Sequence, residues 1–341
     1  MVYAANLFPH LQALNPTLLS SVPVPGFAHR PVPKGMTAEQ GFKGHLRRLV
    51  WTQTQLPEIY RTEQAALLFS PIPESPLYSS VRSVVTVHDL IPLHFGKPRS
   101  PLTLYQRYYV PAVLRQSYHI IANSQATAND VVTFFNIPAR KITPIPLAYG
   151  AENFRFLDRP TQPYLVYLGR CDPYKNVGAI IQALAELVGA IAPEITLKIA
   201  GSRDPRYTPM LEQQAQALGI AHRVEFLDYV PYDQLPILLG EAIALVFPSL
   251  WEGFGLPVLE AMACGTPVIT SNRASLPEVA GDAALFIDPD DPATLTDAML
   301  QVITDDELRQ QLRQAGLARA QQFSWAKTGA ATVEVLRQQL G

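Results

Sequence analysis

Two glutamates and two basic residues carry the chemistry that can be read from this chain. The stretch SLWEGFGLPVLEAMACGTPV, residues 249–268, sets Glu252 and Glu260 around a Gly-Phe-Gly turn and Pro257. The run ALVFPS ahead of it reads as a buried strand. VLEAMAC reads as a helix that opens at Pro257 and stops at Gly265. Glu252 then lies in the strand-to-helix loop, and Glu260 one turn inside the helix. Helical side chains tilt toward the N-terminus, so both carboxylates are expected to face the carboxyl edge of a sheet. Gly253 and Gly255 allow a close backbone approach, and free amides at a helix start favour anions. A ligand with both hydroxyls and phosphate suits that arrangement. A helix N-terminus also welcomes acidic residues for its own sake, so the pair does not decide the matter alone. A second motif adds weight: after YLVYLG come Arg170 and Lys175 in GRCDPYKNVG. Gly169 frees the backbone there, and two cations on one strand-end loop suit a diphosphate better than they suit packing.

The elements that must hold these residues are legible from periodicity. From about residue 83, short β-branched runs alternate with helical patterns (VVTVHDL, YYVPAVLRQSY, HIIANS, ATANDVVTFF, ITPIPLA). After the bridge NFRFLDRPTQP the rhythm restarts at YLVYLGR and runs to AALFIDP. That is α/β architecture, two Rossmann-like doubly wound domains, with ligands expected at the carboxyl ends of strands and a cleft between facing domains as the place for chemistry. The expected boundaries are 1–155, 156–322 and a last helical segment, 323–341, that starts at a capping serine and packs back toward the N-terminal domain. The chain opens on VYAANLFPHLQAL, an amphipathic pattern with Val2, Leu7 and Leu11 near-periodic. No strand precedes it, so the first strand of the N-terminal domain is expected to be missing.

Composition narrows the partners. In 341 residues, 27 Lys plus Arg nearly balance 29 Asp plus Glu, which gives no reason to expect nucleic acid. Cys171 and Cys264 stand far apart without metal-ligand spacing and read as reduced thiols of a cytoplasmic protein. No apolar run reaches the ~18 residues of a membrane span. The segment FKGHLRRLVWTQTQL, with Lys43, Arg47, Arg48 and Trp51, reads either as a solvated helix face or as contact with an anionic acceptor or lipid surface.

GRCDPYKN, PSLWEGFGLPVLEAMACGTPVITSN and LPEVAGDAALFIDP together resemble the retaining nucleotide-sugar glycosyltransferases of family four, which have the two-Rossmann GT-B fold. The likeness runs from about Val84 to Trp325 and is densest in the second domain. It implies that Gly169, Arg170 and Lys175 hold the donor diphosphate and that Glu260 binds the nucleotide ribose. Glu252, with the loop amides of Gly253, Phe254, Gly255 and Leu256, would read the transferred sugar. His88, at the end of VVTVH, would lie beside the reacting sugar. Asp89 would either orient that imidazole or cap the next segment. The HDL form, with NSQATANDV and PIPLAYG, resembles the bacterial O-antigen mannosyltransferase-like subgroup and favours GDP-mannose among nucleotide sugars.

By the same resemblance His88, Arg170, Lys175 and Glu252 form the catalytic set, transfer proceeds with retention, and no metal or cofactor is needed. The acceptor would be a saccharide or a lipid-linked one, with the protein cytoplasmic and in peripheral contact with the inner membrane face. Asp288-Pro289-Asp290-Asp291 imitates a metal-binding Asp-x-Asp but reads as a turn and a helix cap. The competing readings are a sugar-nucleotide-binding protein without catalysis and an epimerase or phosphorylase on the same fold.

Overall fold

The computed structural model describes residues 2–37, 40–189 and 195–341. The chain divides into two compact units, 1–147 with 325–341, and 148–324. The first division thus falls before Ala148, earlier than the expected 155/156. The reason is local: Phe154 is buried with its ring edge-on to Tyr232 at 5.3 Å, and Asn153 donates to the Tyr232 carbonyl.

Unit 1 opens with helix α1 (Val2–Leu7), continued by a 3-10 segment, Phe8–Leu14. Leu7 and Leu11 face inward as expected, but Val2 is exposed and Tyr3 takes the inner position. Two short strands, β1 (Thr17–Ser20) and β2 (Ala28–Pro31), pair in parallel. Helices α2 (Gly41–Thr54) and α3 (Leu56–Thr62) follow. Next come β3 (Leu68–Ser70), β4 (Ser83–Val87), α4 (Ile91–Phe95), α5 (Pro101–Leu104), a π-turn at Tyr105–Tyr109 and α6 (Val110–Gln116). Strand β5 (His119–Ala122), α7 (Gln125–Phe135) and β6 (Ile142–Pro144) complete a parallel sheet of order β3-β4-β5-β6. Every residue of β4 is buried, as a central parallel strand covered on both faces demands. Val85, Val87, Val113, Leu114, Ile120 and Val131 make the core between sheet and helices. Ser124 starts α7 by accepting from the Thr127 amide.

Unit 2 carries one six-stranded parallel sheet of order β12-β11-β10-β7-β8-β9. Its elements are β7 (Tyr164–Leu168), α8 (Val177–Leu187), β8 (Thr196–Ala200), α9 (Thr208–Ala217), β9 (Val224–Asp228), α10 (Leu235–Gly240) and β10 (Ala244–Phe247). There follow α11 (Leu256–Ala263), β11 (Val268–Ser271), α12 (Leu276–Ala280), β12 (Leu285–Ile287), α13 (Pro292–Thr304) and α14 (Asp306–Ala320). The sheet winds outward one way from β7 through β8 to β9, and the other way from β10 through β11 to β12. Strand order therefore reverses between β7 and β10, which pair directly through Ala244 with Leu165 and Leu245 with Val166. The chain then returns to unit 1 as α15 (Trp325–Leu340), beginning just after Ser324. There Thr328 donates to the Pro146 carbonyl at 2.7 Å, and the Gln339 carbonyl accepts from Arg82 at 2.6 Å.

Candidate active site

The reversal point brings together two motifs that the sequence keeps far apart. The loop after β7 carries Arg170 to Lys175, and the loop after β10 carries Trp251 to Gly255. Because β7 and β10 are neighbours, both loops leave the same carboxyl edge, where a doubly wound sheet opens a crevice for ligands. The loops are bonded to each other, since the Leu250 amide donates to the Tyr174 carbonyl at 2.7 Å. Lys175 Nζ lies 2.6 Å from Glu252 Oε1, with both side chains largely buried. The ammonium also sits over the rings of Tyr174 and Phe247, at 5.2 and 5.4 Å. Phe247 is the last residue of β10, so the strand itself forms the floor under this cation.

Backbone geometry makes room at this edge. Gly169 has φ +148 and Gly201, at the end of the adjoining β8, has φ +157. A Cβ on Gly201 would stand 1.9 Å from the Gly169 carbonyl oxygen, so only glycine lets the two strand ends approach. Tyr167, buried under the loop, donates to the Arg170 carbonyl at 2.6 Å. The Arg170 side chain is 65% exposed and pairs with Asp172 at 2.8 Å. Asp172 faces a second guanidinium, Arg206, at 3.9 Å, and Arg206 in turn holds the Asp204 carboxyl down at about 2 by hydrogen bonding. Asp172 and Arg206 had no role in the sequence reading. The first was in view inside GRCDPYKN, but only the adjacency of β7 and β8 discloses the second.

Helix α11 starts at Leu256, one residue before the expected Pro257, because Gly255 at φ +102 takes the capping position. A Cβ there would meet Leu276 Cδ2 at 2.7 Å. Ser275 clamps the loop from behind, its hydroxyl 2.9 and 2.8 Å from the carbonyls of Glu252 and Phe254. Glu260 is half-buried, and burial alone pushes its carboxyl up to about 7. Burial raises the Tyr232 and Cys264 groups, and the nearby Glu260 carboxylate raises both further, so Glu260 neighbours Tyr232, ahead of α10, and Cys264 at the end of its own helix.

Gly169, Arg170, Lys175, Glu252, Gly253, Phe254, Gly255 and Leu256 thus lie in or directly after the two loops at one edge of unit 2, and Glu260 lies on the helix that follows the second loop. His88 belongs to unit 1, immediately after β4, also at a carboxyl end. Its Nε2 donates to the Pro71 carbonyl at 2.9 Å, and Tyr3 packs edge-on against the ring at 4.8 Å. Burial lowers its pKa, so the neutral imidazole presents Nδ1 as an acceptor. Asp89 accepts from the Ile91 amide, the first of α4, at 3.2 Å. In the Asp288–Asp291 run, Arg273 binds Asp288 and Asp290 at 2.8 and 2.6 Å, and Asp291 caps α13. Those carboxylates serve a turn and a helix start.

Residues 151–319 match the domain family described as Glycosyl transferases group 1, and residues 2–149 match Glycosyltransferase Family 4. The chain belongs to glycosyltransferase family four. It is 33% identical over 271 residues to the O-antigen chain mannosyltransferase B of Escherichia coli, covering 75% of this chain and 70% of that one. It is 30% identical to the serotype-specific mannosyltransferase WbdA of the same organism, across 74% of this chain and 33% of the relative. Among solved structures it is similar to sucrose-phosphate synthase from Thermosynechococcus elongatus, with TM-score 0.78, 19% identity and coverage of 99% and 92%. It is also similar to Anabaena HepE in complex with UDP and glucose, with TM-score 0.66, 22% identity and coverage of 76% and 72%. The fold is GT-B, and the sequence relatives set this family-four glycosyltransferase in the O-antigen mannosyltransferase-like subgroup.

Proposed function

We propose that this glycosyltransferase moves a mannosyl group from GDP-mannose to a saccharide or lipid-linked acceptor, with retention and without a bound metal, at the cytoplasmic face of a membrane. The observation that carries the reading is the Lys175–Glu252 pair at the strand reversal, with Arg170 in the same loop as Lys175. A nucleotide-diphosphate sugar needs cations for the diphosphate and a carboxylate for the sugar hydroxyls, next to each other. Arg170 and Lys175 supply the first, and Glu252 with the Gly253–Leu256 amides supplies the second. Glu260, one turn into α11, accepts from the ribose hydroxyls.

In this reading the acceptor hydroxyl attacks the anomeric carbon on the face from which the diphosphate departs. The bond from that carbon to the diphosphate oxygen breaks, a new bond forms to the acceptor oxygen, and the acceptor proton passes to the departing phosphate. Arg170 and Lys175 stabilise the charge growing on the leaving group, a preorganised electrostatic role that a metal fills in other transferases. His88 offers a neutral acceptor nitrogen to a sugar hydroxyl, which suits binding rather than proton relay. The mannosyltransferase relatives support the donor sugar, and the complex of HepE with UDP and glucose supports a nucleotide-sugar site on this fold.

Calorimetric titration with GDP-mannose and UDP-glucose tests the donor, with Glu260→Ala as control. GDP-mannose binding that is lost in the control is the expected result. Preference for UDP-glucose, or binding indifferent to Glu260, overturns the assignment.

A further inference from the structure

Helix α2 departs from the pattern of an ordinary surface helix. Its fully buried residues are Gly44 and Thr52, and polar His45, Arg48 and Gln53 are partly buried beside Leu49 and Trp51. Arg48 makes a two-pronged contact with Glu74 at 2.7 Å on each arm, and its guanidinium also donates to His45 Nδ1. Gln53 donates to Tyr109 Oη at 3.0 Å and accepts from the Leu77 amide. The outward side is apolar: Phe42 is 63% exposed, Leu46 50% and Val50 54%. These three stand four residues apart, so they form one stripe along the helix. Exposed Lys43 and Arg47 each follow one position later and line one flank of the stripe. The helix contains no acidic residue.

Arg48 cannot serve that surface, because it is committed to a carboxylate that is nearly fully buried. The basic character legible in FKGHLRRLVW therefore splits: one arginine holds the helix down, while Lys43 and Arg47 look outward beside Phe42, Leu46 and Val50. An apolar ridge of about 12 Å, from Phe42 to Val50 at ~1.5 Å of rise per residue, with a cationic flank matches a helix lying in a lipid interface. The lysine and arginine stems reach up to headgroups while the ridge enters the acyl boundary. Self-pairing through the same ridge brings the cationic flanks of two copies together with no carboxylate on either helix, which disfavours it.

We propose that the outward face of α2 docks this protein on an anionic lipid bilayer, through Phe42, Leu46 and Val50 in the interface and Lys43 and Arg47 on acidic headgroups. The purpose of the contact rests on the lipid-linked acceptor proposed above, although the surface is defined without it. No described helix is long and apolar enough to cross a membrane, so the contact is a surface one.

The test is cosedimentation of the full chain with vesicles of phosphatidylglycerol and phosphatidylcholine in equal parts, against phosphatidylcholine alone. The parent protein should bind the anionic vesicles at least about tenfold more tightly, and added salt should weaken that binding. F42S/L46S/V50S and K43E/R47E should each lose about tenfold or more, with unchanged thermal unfolding and unchanged GDP-mannose titration. The titration keeps failure of the donor reading separate from failure of the docking reading. Parent protein that stays in the supernatant, or variants that sediment like the parent, would overturn the proposal. So would concentration-dependent self-association that the serine variant abolishes, because the ridge would then belong to a second copy.

Discussion

Lys175 Nζ and Glu252 Oε1 stand 2.6 Å apart although 77 positions separate them in the chain. The contact exists because β7 and β10 are adjacent where the sheet reverses direction. Each residue also holds the other's charge in a largely buried place, so neither is a spectator in the absence of ligand.

Removing one partner should therefore reveal more than either residue's contact with a donor. Lys175→Ala is expected to weaken donor binding or turnover by about 1.5–3 kcal/mol, the range for a hydrogen bond to a charged group. Glu252→Gln should cost a similar amount. The double variant should cost less than the sum, since the singles share one interaction. Measured kcat/KM for all three decides it, and strict additivity argues against a functional pair. Arg170→Ala, whose side chain is mostly exposed, should lower turnover at least as much as it lowers donor affinity. Unchanged turnover would remove it from the leaving-group role.

Gly201→Ala is expected to act at a distance from any ligand. Its Cβ would sit 1.9 Å from the Gly169 carbonyl oxygen at a φ of +157, so the end of β8 must retreat from the end of β7. A cost of about 1–3 kcal/mol follows from strain of that kind. Thermal unfolding should register the loss, and because Gly169 precedes Arg170, GDP-mannose affinity should fall as well. A variant as stable as the parent would show that the two strand ends have slack.

Much of the site was legible because its residues cluster within two short motifs. GRCDPYKN and WEGFGLPVLE each announced a strand, a loop and a helix in the correct order, and both loops were expected at a carboxyl edge. The pairing across them was not legible, since strand order is set by how β7 to β12 pack and not by any local signal. Strands β1 to β3 went unread because each is three or four residues long and lies among prolines or turns. Helix α2 was legible only in part. Its charges suggested a solvated face or an anionic contact, and Lys43 and Arg47 are exposed, whereas Arg48 turns inward to a partner that appears only in the folded chain. Glu74, the residue that captures Arg48, carries no motif at all.

That capture predicts an uneven response along α2. Glu74 accepts from both arms of Arg48 and from Tyr105 Oη at 3.0 Å, with its carboxyl side chain 2% exposed. Breaking a buried pair leaves one charge uncompensated, so Arg48→Ala should destabilise the protein by about 3–5 kcal/mol. Lys43→Ala, on the outer face, should change stability by less than about 0.5 kcal/mol. Chemical denaturation of the two variants provides the contrast, and equal effects would mean that the Arg48–Glu74 pair does not anchor the helix.

Glu260 gives the donor site a pH dependence with a definite sign. Burial raises its carboxyl to about 7 in the free protein, from an ordinary value of 4.5. The folded chain therefore binds an extra proton between those values, and the stability associated with the neutral form is lost as pH rises toward 7. Ligand binding runs the other way. Ribose hydroxyls donate to an ionised carboxylate more strongly than to a neutral acid, so GDP-mannose affinity should increase between pH 6 and about pH 8 and then level off. A nucleotide-diphosphate sugar has no phosphate group titrating in that range, which leaves the protein as the source of the change. Titrations across buffers of different ionisation enthalpy should show proton release on binding below pH 7. Glu260→Gln should abolish both the release and the slope while retaining part of the affinity. A slope that survives in Glu260→Gln would assign the titration to another group and leave Glu260 as a structural acid of α11.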